Sequence, residues 1–304
     1  MKNFNQELLP TAQLSSHIEC LWHQTLEGHL NCDNATLVQP SLMPPQGTFD
    51  IIFVPVAICL YQFTGNTFKS TKLTPGCWLL GQQTRSYYWQ ATTTTSIYGI
   101  RLKPFAFFAT TLISPSELKD SVAALSLASH LTDCDIEQYL AHLDPVNINE
   151  GNCEKTLWPN VLERFAFQLF NDKMTYPEEV RAFSNVILLK KGDIRLNTLC
   201  QQFDVSKVTI RKKFLANIGI LPKELCQIWR LNAFLLLTHE HPELSVTELG
   251  LVAGYYDQAH LTKEFKSIFP NSPTRLLKTG SSIVDTTFSH INKRFNGNYD
   301  PRCQ

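Results

Sequence analysis

The chain has 304 residues, with 27 Lys and Arg against 27 Asp and Glu, so its formal net charge is zero. Hydrophobic residues make up 43% of it and aromatic residues 11%, which excludes an intrinsically disordered chain and allows two domains with ordinary cores. The charge is unevenly placed. Residues 1–189 carry 11 Lys and Arg against 17 Asp and Glu, and residues 190–278 carry 13 against 8. An acidic first part joined to a basic second part is typical of a sensor attached to a DNA-binding module.

The first 125 residues are predicted to form short strands. Runs rich in β-branched and aromatic residues begin at His17, Thr48, Cys77 and Thr92, and turn-forming Pro, Gly and Asn clusters separate them. This density of strands predicts a small barrel or sandwich. From Pro104 the pattern becomes helical, with helices expected near residues 121–131, 135–143 and 159–171.

Residues 190–278 contain a first helix-turn-helix signal, LNTLCQQFDVSKVTIRKKF from Leu196. Asn197 is expected to cap the first helix and Ser206 the second, and Gly219 is expected to follow the second helix in a left-handed conformation. A longer apolar helix is then predicted from Pro222 to about residue 238, where it would serve as a buried strut.

A second, sharper signal follows about fifty residues later. Ser245 and Glu248 form a capping-box pattern, Gly254 ends the first helix, and Asp257 is placed to cap a second helix that Pro270 stops. Two basic helices, each preceded by a helix and a turn, favour DNA binding over a helical bundle with solvated charges.

These pieces, from about residue 193 to 277, resemble the double helix-turn-helix domain of AraC/XylS-type regulators. The matching segments are VSKVTIRKKF, GILP, WRLNAF, SVTELGLVAGYYDQAHLTKEFK and NSP, and the chain departs at Pro270, where the family usually has glycine. The resemblance implies that each second helix enters a major groove of double-stranded DNA, with the strut holding the two helices about one helical turn apart. It leaves RNA polymerase open as a further partner.

The resemblance also implies which side chains contact DNA. In the first reading helix, Lys207 and Lys213 would contact phosphates, and base contacts would come from Val208, Arg211 and Lys212. In the second, the positions that match exposed family positions are Gln258, His260, Thr262 and Lys263.

The N-terminal half resembles the cupin-like domain of one branch of these regulators, on ECLW, MPPQGTFDIIF, GQQTRSYYW and GIRLKPFAFFATTLISPSEL. It departs at the turn that begins with Lys103, where relatives tend to have an arginine and glycines. The resemblance implies a domain that senses a small-molecule effector or pairs two chains into a homodimer. The candidate effector-binding residues are Arg85, Tyr87, Trp89 and Arg101.

The expected fold class is therefore α+β, with an N-terminal cupin-like β-barrel and flanking helices, followed by an all-α double helix-turn-helix domain. The expected boundaries are a sensor or dimerisation domain at residues 1–125, a helical linker at 126–185, the DNA-binding domain at 186–278, and a flexible tail at 279–304.

Catalytic chemistry finds little support in the sequence. His239 and His241 form a His-x-His pair outside the barrel, and His17 and His23 share a strand face from which Cys20 points away. We therefore expect no catalytic residues, no metal ligands and no cofactor, and a protein that is not an enzyme. Two alternatives stay open: a non-enzymatic interaction protein whose helical module binds a protein partner, and a cupin-type metalloenzyme.

The cysteines and the hydropathy pattern bear on location. Nine cysteines are spread without any C-x-x-C motif, and no stretch approaches the ~18 consecutive apolar residues of a membrane span. No charged-then-apolar leader pattern is present at the N-terminus. The expectation is a cytoplasmic protein that does not associate with membranes.

Overall fold

The computed structural model describes residues 5–28, 42–107, 113–125, 133–143, 157–170, 176–278, 291–292 and 294–295. Its N-terminal domain is built of strands, as expected. The strands are β1 (Asn5–Leu8), β2 (Ile18–Leu26), β3 (Phe49–Val54), β4 (Ile58–Thr64), β5 (Thr67–Leu73), β6 (Gly76–Leu80), β7 (Tyr87–Ala91), β8 (Thr95–Leu102) and β9 (Val122–Ala124).

The described strands form two antiparallel sheets. One has six strands in the order β1-β2-β8-β3-β6-β9, and the other has three in the order β5-β4-β7. In the central pair, Asp50 of β3 lies opposite Arg101 of β8. Isolated bridges join Gly28 to Ala91 and Met43 to Tyr87, and no further pairing of described strands closes the sheets into a ring.

The described helices are α1 (Asp133–Leu143), α2 (Leu157–Leu169), α3 (Glu178–Leu189), α4 (Leu196–Gln202), α5 (Lys207–Asn217), α6 (Pro222–Glu240), α7 (Val246–Val252), α8 (Gln258–Ile268) and α9 (Pro273–Lys278). The helix expected near residues 121–131 is wrong at its start. Val122–Ala124 pair with β6 as strand β9, because the open edge of β6 supplies hydrogen-bond partners that local helix propensity cannot outweigh. None of the described helices is long and apolar enough to cross a membrane.

A continuous hydrophobic core runs from the six-stranded sheet to the C-terminal helices. It joins Phe49 and Phe53 of β3, Phe165 of α2, Phe183 of α3 and Trp229 of α6, all of them essentially inaccessible to solvent. A second cluster holds α7 and α8 against the other half of α6, through residues such as Phe234 and Phe265. The strut expected from the sequence is therefore buried from both sides, and it is the element on which both helix-turn-helix units are fixed.

The fold class expected from the sequence is confirmed as a sheet-rich N-terminal domain followed by a helical C-terminal region with two helix-turn-helix units. Of the segment expected to be a flexible tail, residues 291–292 and 294–295 are described and helical; Ile291 is fully buried and Arg294 nearly so, whereas Asn292 is exposed.

Candidate nucleic-acid interface

The first helix-turn-helix unit consists of α4 and α5. The Ser206 hydroxyl accepts a hydrogen bond from the Thr209 N–H at 3.0 Å, which confirms the expected cap of α5. The cap expected at Asn197 is wrong, since α4 begins at Leu196 with Arg195 in the capping position. Asp204, in the turn, has a positive φ of 48°, a conformation that Asp adopts more easily than most residues.

Helix α5 carries its cations on the side away from the core. Ile210 and Phe214 are fully buried, whereas Lys207, Val208, Arg211 and Lys212 are exposed. These four positions span an arc of about 140° around a regular helix. Val208 has 61% of its surface exposed, which is unusual for an apolar residue on a packed helix and suits contact with a thymine methyl group.

Lys213, the fifth candidate on α5, is placed differently. Its ammonium group pairs with the Glu179 carboxylate of α3, and its side chain is about one-third exposed. A phosphate would therefore have to compete with Glu179 for this lysine. Burial and ion pairing separate Lys213 from the four exposed side chains of the same helix.

The second unit consists of α7 and α8 and is capped as expected. Ser245 accepts from the Glu248 N–H while the Glu248 carboxylate accepts from the Ser245 N–H. Hydrogen bonds to that carboxylate from the Ser245 side chain and from the Ser245 backbone N–H hold the pKa of Glu248 below its usual range. The Asp257 side chain accepts from the His260 N–H at 2.7 Å and starts α8. Gly254 has a φ of 87°, and a Cβ there would lie 2.5 Å from the Asp193 side chain, so glycine is required at this turn.

Three of the four candidates on α8 face outward. Gln258 and Lys263 are exposed and Thr262 is partly exposed. His260 instead makes contacts within the second unit: its Nδ1 accepts from the Tyr256 N–H at 3.3 Å, and its Nε2 lies 3.1 Å from Glu264 Oε1. Nδ1 as acceptor leaves Nε2 to donate, so both ring nitrogens of His260 are engaged within the protein.

A polar cluster ties α8 to the strut. Gln227 Nε2 donates to Glu264 Oε1 at 3.1 Å, and Arg230 Nη1 lies 3.8 Å from Glu264 Oε2. Arg230 also donates to the Gly192 carbonyl at 3.1 Å, just before the first unit, and its guanidinium lies 5.5 Å from the Tyr255 ring centre. Burial and the nearby Glu264 raise the pKa of Tyr255. This cluster was missed by sequence reasoning.

Between the two units lies a cleft of about 500 Å³. Its walls come from α4, α5, the strut and α8, and its charged lining residues are Arg195, Lys207, Arg211, Lys223, Arg230 and Glu264. Five of these six are cations, so the cleft is electropositive. Such a concavity attracts a polyanion, and two of the predicted DNA-contact residues, Lys207 and Arg211, line it.

The candidate effector residues converge only in part. Tyr87, Trp89 and Arg101 line one small cavity between the two sheets, whereas Arg85 lies outside it in the β6–β7 connection. The cavity has a volume of about 30 Å³, which is room for a water molecule or two. A larger ligand would have to open it.

A buried ion pair forms the polar wall of this cavity. Arg101 Nε donates to Asp50 Oδ1 at 2.9 Å, and the same oxygen accepts from Trp22 Nε1 at 2.9 Å. Burial acts to lower the pKa of Arg101, but the carboxylates of Asp50 and Glu7 raise it by more, so it lies above its usual value. Burial, with the charge of Asp50, also raises the pKa of Tyr87.

Asp50, Trp22 and Glu7 were not named from the sequence, although a signal for the first was present. Asp50 interrupts the apolar run TFDIIF, and Arg101 interrupts GIRL. A charge on an otherwise buried strand requires a partner of opposite charge, so the two interruptions together indicate a pair.

The N-terminal domain contacts both helix-turn-helix units. The backbone N–H and hydroxyl of Ser86 both donate to the Ile268 carbonyl at the end of α8. After α5, Gly219 lies so close to Pro115 that a Cβ would come within 2.3 Å of the Pro115 carbonyl oxygen. The ends of both reading helices therefore abut the sheet domain.

Comparison with known proteins gives two family matches. Residues 6–124 match a domain family of unknown function (DUF6597), and residues 199–279 match a helix-turn-helix domain family. No protein of curated function matches the sequence significantly.

Several solved structures are similar. One is ToxT from Vibrio cholerae at 1.65 Å resolution, with 10% sequence identity, coverage of 85% of this chain and 97% of that chain, and a TM-score of 0.46. Another is unsaturated fatty acid-bound wild-type ToxT from Vibrio cholerae, with 11% identity, coverage of 84% and 93%, and a TM-score of 0.39.

Proposed function

We propose that this chain, whose residues 199–279 form a helix-turn-helix domain of the AraC type, regulates transcription by binding specific DNA sequences. The observation that carries the proposal is the pair of reading helices fixed on one buried strut, with the cations of α5 exposed. A domain of this type acts by binding DNA and not by catalysis, and we extend that to the whole chain.

Sequence recognition is assigned mainly to the outward-facing side chains. Arg211 suits a bidentate contact with guanine, Gln258 a contact with adenine, and Val208 a thymine methyl group. Lys207 and Lys263 supply positive charge at the same surface, which positions the duplex, and Lys212 stays a candidate for a base contact beside Arg211. His260 and Lys213 are already engaged within the protein, so their DNA contacts would require a change of partner.

The effector is assigned to the cavity between the sheets. Tyr87 and Trp89 of the three-stranded sheet line it together with the Asp50–Arg101 pair of the six-stranded sheet, and Trp22 lies beside that pair as a donor to Asp50. This combination suits a small molecule with hydrogen-bonding groups on one side and an apolar face on the other. Entry of such a molecule would widen a cavity that now holds only water-sized space. Arg85 is not included in this site.

The experiment that tests DNA reading is selection of genomic fragments on the purified full-length protein. Wild-type protein is expected to enrich a motif with two blocks about ten base pairs apart, one for each unit. The Arg211→Ala/Lys263→Ala variant is expected to lose that motif. The matched control is Lys69→Ala/Lys72→Ala, which removes two exposed lysines of β5 and should enrich the same motif as wild type.

The alternative from another class is a helical module that binds a protein partner. Duplex binding with a steep salt dependence separates the two, because release of phosphate counterions has no counterpart in a protein groove. Failure of the wild-type chain to bind any duplex at low salt would favour the alternative. RNA polymerase and a second copy of the chain remain further candidate partners, and we place the protein in the cytoplasm, where its DNA would be.

A further inference from the structure

The described end of the chain inserts between the N-terminal domain and the strut. Ile291 is fully buried in the cluster that holds α7 and α8 to the strut. The Phe295 ring packs against both large hydrophobic clusters, and Lys191 lies with its ammonium 5.4 Å from that ring's centre. These contacts attach Ile291 and Phe295 to the seam between the two domains.

Arg294 makes the polar contacts of this segment and is only 6% exposed. Its Nε donates to Glu19 Oε1 at 2.7 Å and its Nη2 donates to Glu19 Oε2 at 3.1 Å. Its Nη1 donates to the Gln46 carbonyl at 2.6 Å. One guanidinium thus binds both oxygens of a carboxylate on β2 and a backbone carbonyl of the loop that precedes β3, an arrangement that its planar fork of donors permits.

Gln46 is the point at which three parts of the molecule meet. Its carbonyl accepts from Trp229 Nε1 of the strut at 3.2 Å as well as from Arg294. The same residue lines the cavity between the sheets. The neighbouring Pro45 carbonyl accepts from Asn232 Nδ2 of the strut at 3.3 Å, so the loop is hydrogen-bonded to the strut twice.

The space around the loop leaves little freedom to move it while it stays docked. A Cβ on Gly47 would lie 2.8 Å from Leu225 and 2.9 Å from Trp229, both strut side chains. Close packing of this kind makes the docked arrangement an all-or-none contact and not a graded one. A change in the cavity that displaced Gln46 would therefore shift the loop on the strut as a unit.

We propose that Arg294 is a positioning residue, and that Ile291, Arg294 and Phe295 together form an intramolecular latch that holds the cavity-lining loop, residues 42–48, on the strut. The latch acts through Gln46: it fixes the carbonyl that Trp229 binds, and so fixes the cavity wall relative to the helix that carries both reading helices. The reading faces are exposed in this latched state, so it is the state that binds DNA. The link to DNA rests on the proposed function, whereas the latch itself does not.

The latch can be tested in the full-length protein through tryptophan indole hydrogen exchange, observed by NMR of ¹⁵N-labelled indoles. Trp229 donates to Gln46, whereas Trp22 donates to Asp50 inside the N-terminal domain. In Arg294→Gln we expect the Trp229 indole to exchange at least about tenfold faster than in wild type, because local opening of the seam then costs less. The Trp22 indole should keep its wild-type rate.

Two controls make the result specific. Arg275→Gln removes an exposed arginine of α9 and should leave both rates unchanged. Glu19→Gln keeps the shape of its side chain and loses the charge that Arg294 binds, so it should accelerate Trp229 exchange in the same way, and it serves if Arg294→Gln does not fold. Unchanged Trp229 exchange would overturn the latch. Equal acceleration of Trp22 and Trp229 would also overturn it, since the segment would then only add global stability.

The positioning role has a second readout. Arg294→Gln should bind a duplex selected by the wild-type protein about tenfold more weakly, while both proteins bind a scrambled duplex equally. Equal affinity of the two proteins for the selected duplex would overturn the role in DNA binding. A wild-type chain that selects no DNA would refute the proposed function. The hydrogen-exchange measurement does not depend on DNA binding, so it would still test the latch.

Discussion

The cavity between the sheets and the reading helices use charged residues in opposite ways. In the cavity wall, Asp50 and Arg101 are about 5% exposed or less and satisfy one another. On α5, Lys207 and Arg211 are exposed beside an electropositive cleft. Buried charges must be paired within the protein, so they hold a shape, whereas exposed cations remain available to an external polyanion.

The largest expected effect comes from breaking the buried pair. Asp50→Ala leaves Arg101 buried without its closest carboxylate and removes the acceptor of Trp22 Nε1. We expect the free energy of unfolding, measured by urea denaturation, to fall by about 3–5 kcal/mol.

A double variant separates the lost partner from the lost packing. Asp50→Leu/Arg101→Met replaces both charges by apolar side chains and should recover part of the loss, because the buried guanidinium is then gone, while Glu7, 3.9 Å from Arg101 in the wild type, loses its cation. A double variant as unstable as Asp50→Ala would show that the unpaired charge of Arg101 is not the cause of the lost stability.

The reading helices are expected to respond in DNA affinity and not in stability. Arg211→Ala should cost about 1–3 kcal/mol of binding at one base position of the selected motif, while the urea midpoint stays close to that of wild type. Competition binding with duplexes that each carry one base change checks this. A uniform loss across all sequences would contradict base reading by Arg211.

A titratable group next to the cavity gives a smaller effect with a defined sign. His23 stacks on Tyr98 with ring centres 4.8 Å apart, and burial lowers its pKa below the ordinary 6.5. The unfolded chain therefore binds a proton more readily, so stability should be fully present above about pH 6.5 and fall as the pH drops below it. In His23→Phe this part of the pH dependence should be absent; an identical pH profile in the variant would contradict it.

The smallest effect is expected at an exposed cation. Lys207→Gln should reduce the slope of log binding constant against log salt concentration by about 1, with the same loss on specific and scrambled duplexes. Lys213 must give up its ion pair with Glu179 before it can bind a phosphate, so Lys213→Gln should reduce this slope by less. Equal slopes for the two variants would mean that the ion pair opens freely on DNA.

Much of the C-terminal domain could be predicted because its signals are local. The caps at Ser206, Ser245 and Asp257 and the glycine at Gly254 act within a few residues of their own position, so the chain order alone locates them. The cap predicted at Asn197 was wrong by two residues, since Arg195 occupies the capping position and makes no side-chain cap hydrogen bond. Element ends of this kind are decided by competition between neighbouring residues.

The polar clusters could not be predicted in the same way. Glu264 and Gln227 are 37 residues apart, and Arg294 and Glu19 are 275 apart, so no spacing in the sequence relates them. The strand Val122–Ala124 likewise exists because β6 offers it an edge. For these features the partner is supplied by the tertiary fold.

The sequence by itself determined that two capped helix-turn-helix units flank an apolar helix, and that β-rich segments precede them. Hydrophobic periodicity and capping chemistry are properties of short stretches and survive without tertiary contacts. The tertiary structure alone decided that His260 and Lys213 are engaged within the protein, that Arg85 lies outside the cavity, and that Arg294 reaches Glu19 and Gln46. Burial assigns those roles, because a buried charge or hydrogen-bonding group must find whichever partner the fold brings to it.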